Sequence, residues 1–92
     1  MSVHRIHGIP GVVIKVKLFA IVRDKAARGD VSLELPEDAT VADAIEKLSA
    51  ELPAIASHLP RCAFALNFEY TSVSEPLNDG DELAVIPPVS GG

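Results

Sequence analysis

One stretch of this chain has a helical period long enough to build on, and strand-like sequence hems it in on both sides. In PEDATVADAIEKLSAEL, Val41, Ile45, Leu48 and Leu52 recur at i, i+4, i+7 and i+11, with Ala44 beside them. That spacing predicts a helix over 41–52 with a single apolar stripe. Thr40 is a suitable N-cap, and Asp43, three residues on, is the short analogue of a capping box. Pro53 prevents regular extension beyond Leu52. A helix with one apolar face needs another apolar layer to cover it, so the flanking segments must supply a sheet with one dry face.

They read that way. VVIKVKLFAIV (12–22) is rich in β-branched and aromatic residues and predicts a strand. Ile14, Val16, Leu18 and Ala20 share its inner face; Lys15, Lys17, Phe19 and Ile21 share the outer one. Phe19 is thus an aromatic on a wet face, the first sign of a contact surface. RDKAARGD (23–30) is a polar connection with room for one helical turn. VSLEL (31–35) alternates cleanly, with Val31, Leu33 and Leu35 inward, and ends at Pro36. Beyond the helix, AIASHLP predicts a short helical turn and RCAFALN (61–67) a third strand. FEY turns the chain back, and TSVS reads as a short fourth strand. Asn78, Asp79 and Gly80 form a turn, and DELAVI (81–86) is the last strand. Leu83 and Val85 face inward there, leaving Ile86 exposed beside Glu82 and Ala84. Strand, strand, helix, strand, short strand, strand describes a β-grasp, the ubiquitin-like α+β architecture. Its mixed sheet has four to five strands, with one main helix packed on one face.

Ninety-two residues support one such domain over 12–86, with a mobile leader at 1–11 and an extended tail at 87–92. At 48% hydrophobic and 23% charged, the chain has enough apolar side chain to fold. A net charge of −5 argues against nucleic acid or an anionic membrane as partner. Lys15 and Lys17 interrupt the longest apolar run, which leaves no transmembrane span or secretory segment. Cys62 is the only cysteine, so no disulfide forms within the chain, and a reducing cytoplasmic setting is expected. Within CAFAL it reads as a small buried hydrophobe. No cysteine–histidine cluster suggests a metal. Glu75, Asp79, Asp81 and Glu82 lack calcium-loop spacing and read as solvated turn residues. No catalytic constellation of serine, histidine and acid is present.

What remains is the ending, PPVSGG. Pro87 and Pro88 favour an extended course and hold the tail off the sheet. Gly91 and Gly92 lack Cβ atoms and can thread a channel too narrow for side chains. Residues 87–92 reach about 20 Å when extended at roughly 3.3 Å each. A terminal carboxylate is a poor electrophile. Activation as a mixed anhydride with AMP would make it reactive, and a sulfur nucleophile would then turn Gly92 into a thiocarboxylate.

The ending LNDGDELAVIPPVSGG, the strand KVKLFAIVRD and the order of elements resemble the small subunits of molybdopterin synthase, ubiquitin-like sulfur carriers. The likeness covers about residues 13–92. It implies an adenylating enzyme of the ubiquitin-activating type that uses ATP and magnesium to activate Gly92, and a sulfurtransferase that supplies persulfide sulfur. It implies a large synthase subunit that receives Pro87, Pro88, Val89, Ser90 and Gly91 in its active site, within a heterotetramer. Sulfur would pass there to cyclic pyranopterin monophosphate to build the dithiolene. The catalytic side chains would lie on that partner, and this chain would bind no cofactor or metal itself. Phe19, Tyr70 and Ile86 match the family's hydrophobic partner surface. Ile86 and Val85 replace bulkier aromatics common before the prolines, and Ser90 stands where threonine is frequent.

Two other readings remain. One is a thiamine-pathway sulfur carrier or a ubiquitin-like protein modifier; the Pro87–Pro88 pair speaks for the molybdopterin group instead. The other is a non-covalent β-grasp interaction module, which would work without Gly92.

Overall fold

The computed structural model describes residues 11–88. The expectations for residues 1–10 and for Val89, Ser90, Gly91 and Gly92 lie outside them. Strand β1 (Gly11–Leu18) leads into helix α1 (Ala20–Ala26) and strand β2 (Asp30–Pro36). Helix α2 (Val41–Glu51) follows, then the short helix α3 (Pro53–Ala56) and a 3₁₀ turn at Leu59–Arg61. Strands β3 (Ala63–Leu66), β4 (Glu69–Tyr70) and β5 (Glu82–Ile86) complete the elements of the described residues. The sheet has five strands in the order β2-β1-β5-β3-β4. β1 and β5 are parallel, and every other neighbouring pair is antiparallel. The last strand is therefore central, inserted between the first and third.

The inner face carries the core. Ile14, Val16 and Leu18 of β1, Leu33 of β2, and Leu83 and Val85 of β5 are buried. Against them α2 places Val41, Ala44 and Leu48, all fully buried, while Ile45 and Leu52 are partly covered. Burying each large aliphatic side chain contributes about 1.5–3 kcal/mol. The start of α2 is built as its sequence predicts: the Thr40 N–H donates to Asp43 Oδ2 at 2.9 Å.

Several expectations change. The strand predicted over 12–22 ends at Leu18, whose N–H donates to Gly29 O at 2.9 Å just beyond the last register pair with β2, Lys17 and Asp30. Phe19 remains extended (φ −129°, ψ 156°), and its carbonyl accepts from the N–H groups of Val22 and Arg23, starting α1. Ala20, expected inside, is exposed at φ 52°, whereas Val22 is fully buried by the helical turn. The apolar run outlasts the sheet because its last part packs as a helix.

Thr71–Ser74 is not a strand. This segment crosses the N-terminus of α2, where Val73 O accepts from Ala42 N (2.8 Å) and Glu75 O from Val41 N (2.9 Å). Val73 and the adjoining Glu75 thus give their carbonyls to the helix's orphan donors rather than to a ladder. Leu77 then dips into the core.

The acids of the last turn are not simply solvated either. Asp81 is buried, accepting from Asn67 Nδ2 (2.9 Å) and Asn78 N (2.7 Å), and Asp79 accepts from Val13 N (2.7 Å). Gly80, at φ 88°, donates to Val13 O, a backbone conformation that favours glycine. Gly11, read as the end of the leader, is the first residue of β1, paired with Pro36.

Candidate functional site

The outer face of the sheet is not uniformly polar. Ala65 of β3 and Ala84 of β5 are register partners on it, and their short side chains make a floor. Larger groups stand around that floor: Phe19 at the end of β1, Tyr70 on β4, Ile86 at the end of β5, and Phe68 in the β3–β4 turn. Together they outline an open groove of about 510 Å³, with Glu82 at its polar end. Phe19 and Ile86, read from the sequence as apolar groups on the wet face, and Tyr70, which the family resemblance adds, thus line one groove, although Phe19 and Ile86 are separated by most of the chain.

The sheet topology explains the convergence. β1 and β5 run parallel, and Leu18 pairs with Val85, so Phe19 and Ile86 each follow that rung on adjacent strands. β3 flanks β5 on the other side and brings β4, with Tyr70, across the hairpin. Phe19 is 45% exposed and Tyr70 76%. Ile86, expected to be exposed, is half-buried, because β5 is a central strand and Ile86 pairs with Ala63. β5 ends there; beyond it Pro87 is buried and Pro88 exposed, so the chain leaves the sheet at the first proline and reaches solvent at the second.

Sequence reasoning missed Phe68, the most exposed large apolar residue among those described, at 88%. It looked like part of a turn, and it is one. Asn67 and Phe68 have φ of 50° and 74°, and they join the paired residues Leu66 and Glu69. A phenylalanine where turn chemistry favours glycine was the available signal. Asn67 holds the turn: it donates to Asp81 and accepts from Glu82 N at 3.0 Å.

A second cavity of about 460 Å³ lies between α2 and the β3–β4 side of the molecule, where Cys62, Leu59 and Phe64 line it. Cys62 is half-buried, its Sγ donates to His58 O at 3.3 Å, and burial pushes the thiol pKa up. That is the setting of a packing cysteine, not an activated one. Among the described residues, no group of three or more His, Cys, Asp or Glu side chains is arranged to hold a metal. No described helix is long and apolar enough to cross a membrane.

A mixed sheet with one long helix across its inner face, a parallel pairing of first and last strands and an apolar groove on the outer face define a ubiquitin-like β-grasp protein. The crystal structure of Haloferax volcanii small archaeal modifier protein 1 is similar, with a TM-score of 0.81 and 32% identity, covering 86% of this chain and 100% of that one. The model of the ThiS family matches residues 16–92, and the chain belongs to that family. It is 43% identical over 81 residues to the molybdopterin synthase sulfur carrier subunit of Chlamydomonas reinhardtii, covering 86% of this chain and 98% of that protein. The corresponding subunit of Arabidopsis thaliana is 38% identical over 81 residues, covering 88% and 84%.

Proposed function

We propose that this chain is the sulfur-carrying subunit of a molybdopterin synthase and that Gly92 carries the sulfur. The observation that supports this reading most is the extent of the family match, which runs through the Gly91–Gly92 ending. The Gly92 carboxylate attacks the α-phosphorus of ATP, held with magnesium on a separate adenylating enzyme, and pyrophosphate leaves. A protein persulfide on a sulfurtransferase attacks the resulting acyl adenylate and expels AMP. A thiol then cleaves the sulfur–sulfur bond, leaving sulfur on Gly92 as a thiocarboxylate. On the large subunit that sulfur attacks a carbon of cyclic pyranopterin monophosphate and displaces an oxygen substituent from it, and water then cleaves the acyl–sulfur bond, leaving the sulfur on the pterin and restoring the carrier's carboxylate. Each dithiolene consumes two charged carriers.

In this reading Phe19, Tyr70 and Ile86 dock on the large subunit, with one carrier at each end of a large-subunit pair in the heterotetramer. Pro87 through Gly91 extend Gly92 into its active site. The groove and the tail adjoin at Ile86, so a partner that grips one is next to the other. The carrier contributes a reactive terminus rather than catalytic side chains.

Intact mass spectrometry after incubation with the adenylating enzyme, ATP, magnesium and a sulfur donor tests this directly. The expected product is heavier by the difference between sulfur and oxygen, and a chain lacking Gly91 and Gly92 stays unchanged. An unaltered mass for the complete chain would overturn the proposal.

A second reading, a protein modifier, is favoured by the likeness to Haloferax volcanii small archaeal modifier protein 1. It predicts amide conjugates between Gly92 and lysines of other proteins, which the same mass measurement distinguishes from a free thiocarboxylate.

A further inference from the structure

Phe68 combines two costs that nothing inside the domain offsets. Its φ of 74° lies in the left-handed region, where a residue with a Cβ is strained and glycine is not. Its ring is 88% exposed, so the folded chain gains little from burying it. The preceding Asn67, also left-handed, is held by bonds to Asp81 and Glu82, but the Phe68 ring is not part of that network. Strained residues of this kind concentrate where a surface is used.

Glu82 adds a second constraint. It is half-buried at the polar end of an otherwise apolar groove. Lys15 is its register neighbour on β1, yet among the described residues Glu82 forms no ion pair. A wholly apolar cover over the groove would strip water from this carboxylate and leave only the exposed Lys15, which does not pair with it in the free domain, to offset the cost. A cover that brings a cation avoids that penalty.

Resting on the carrier reading above, we propose that the groove receives an apolar segment of the large subunit bearing one arginine or lysine. Phe68 closes over the apolar side chains, and Glu82 accepts from the cation. These two residues, rather than Phe19, Tyr70 and Ile86 alone, set which partner the groove admits.

Calorimetric titration of the large subunit with the full-length chain and its Phe68→Gly and Glu82→Gln variants tests this, with melting temperatures measured in parallel. Phe68→Gly is expected to weaken binding about tenfold or more, as for a buried aromatic anchor, while the free protein melts no lower. Glu82→Gln is expected to weaken binding at low salt, with the gap to the original chain narrowing as salt rises. Unchanged affinity in either variant would overturn the inference. So would concentration-dependent dimerisation of the chain alone that Phe68→Gly abolishes, because the occupant would then be a second copy. Absence of any binding by the original chain would remove the carrier reading and this inference together. Binding by the original chain with indifferent variants would remove this inference alone.

Discussion

Ala65 and Ala84 face each other across antiparallel β3 and β5 on the outer side of the sheet, and their short side chains are the floor of the groove. Two residues this small side by side leave room for a partner's side chains between Phe19 and Tyr70. Ala84→Leu should fill that room. Because the position faces away from the core, the change is expected to alter folding stability by less than about 1 kcal/mol. Affinity for the large subunit should fall about tenfold or more, equivalent to about 1.4 kcal/mol. Titration calorimetry and a urea melt on the same preparation measure both.

Phe19→Ala and Ile86→Lys should part company. Phe19 is nearly half exposed at the end of β1, so its truncation should weaken docking with little loss of stability. Ile86 is half-buried on a central strand, and a lysine there should lower both docking and the melting temperature. Equal melting temperatures for the two variants would show that Ile86 is less enclosed than its pairing with Ala63 indicates.

Asp81 holds the turn before β5 to the β3–β4 hairpin. Asp81→Ala would leave the Asn78 N–H and the Asn67 side-chain amide without their acceptor. A loss of about 1–3 kcal/mol in denaturant unfolding is expected. Since Asn67 positions the turn that carries Phe68, amide exchange should also accelerate at residues 67–70, and that pattern separates a local release from a general weakening.

Cys62 should resist alkylation at neutral pH. Burial raises its thiol pKa, and the thiolate is the reactive form, so the rate with iodoacetamide should rise to half its plateau above the ordinary thiol value of about 8.5. The linkage has a definite sign. Between the unfolded and folded thiol pKa values the native state binds more protons, so stability falls as pH rises through that window and is unaffected below it. A Cys62→Ser variant should lose this part of the alkaline destabilisation.

Leu48, fully buried on α2, is the anchor of the helix on the sheet. Leu48→Ala should cost about 2–5 kcal/mol through lost burial and the cavity it leaves. For a domain of this size, that approaches the whole margin of stability of about 5–15 kcal/mol. Chemical denaturation monitored by circular dichroism is the measurement.

Much of the fold was written in short spans of chain. The Val41, Ala44, Leu48 stripe, the Thr40–Asp43 bond and the inward Val31, Leu33 and Leu35 each depend on residues within a few positions of one another, where helical and strand periods act. Those features were enough to imply the β-grasp order, and Phe19 was recognisable as an aromatic facing water. What the chain order alone left open was decided by distant neighbours. β1 stops at Leu18 because α1 can bury Val22; Thr71–Ser74 forgoes a strand because α2 needs its carbonyls. Asp79 finds its donor at Val13, and β5 enters between β1 and β3, which encloses Ile86 and draws Phe68 to the groove. Backbone donors and acceptors accept any partner of suitable geometry, so such choices carry no local signature and emerge only once the whole sheet has closed.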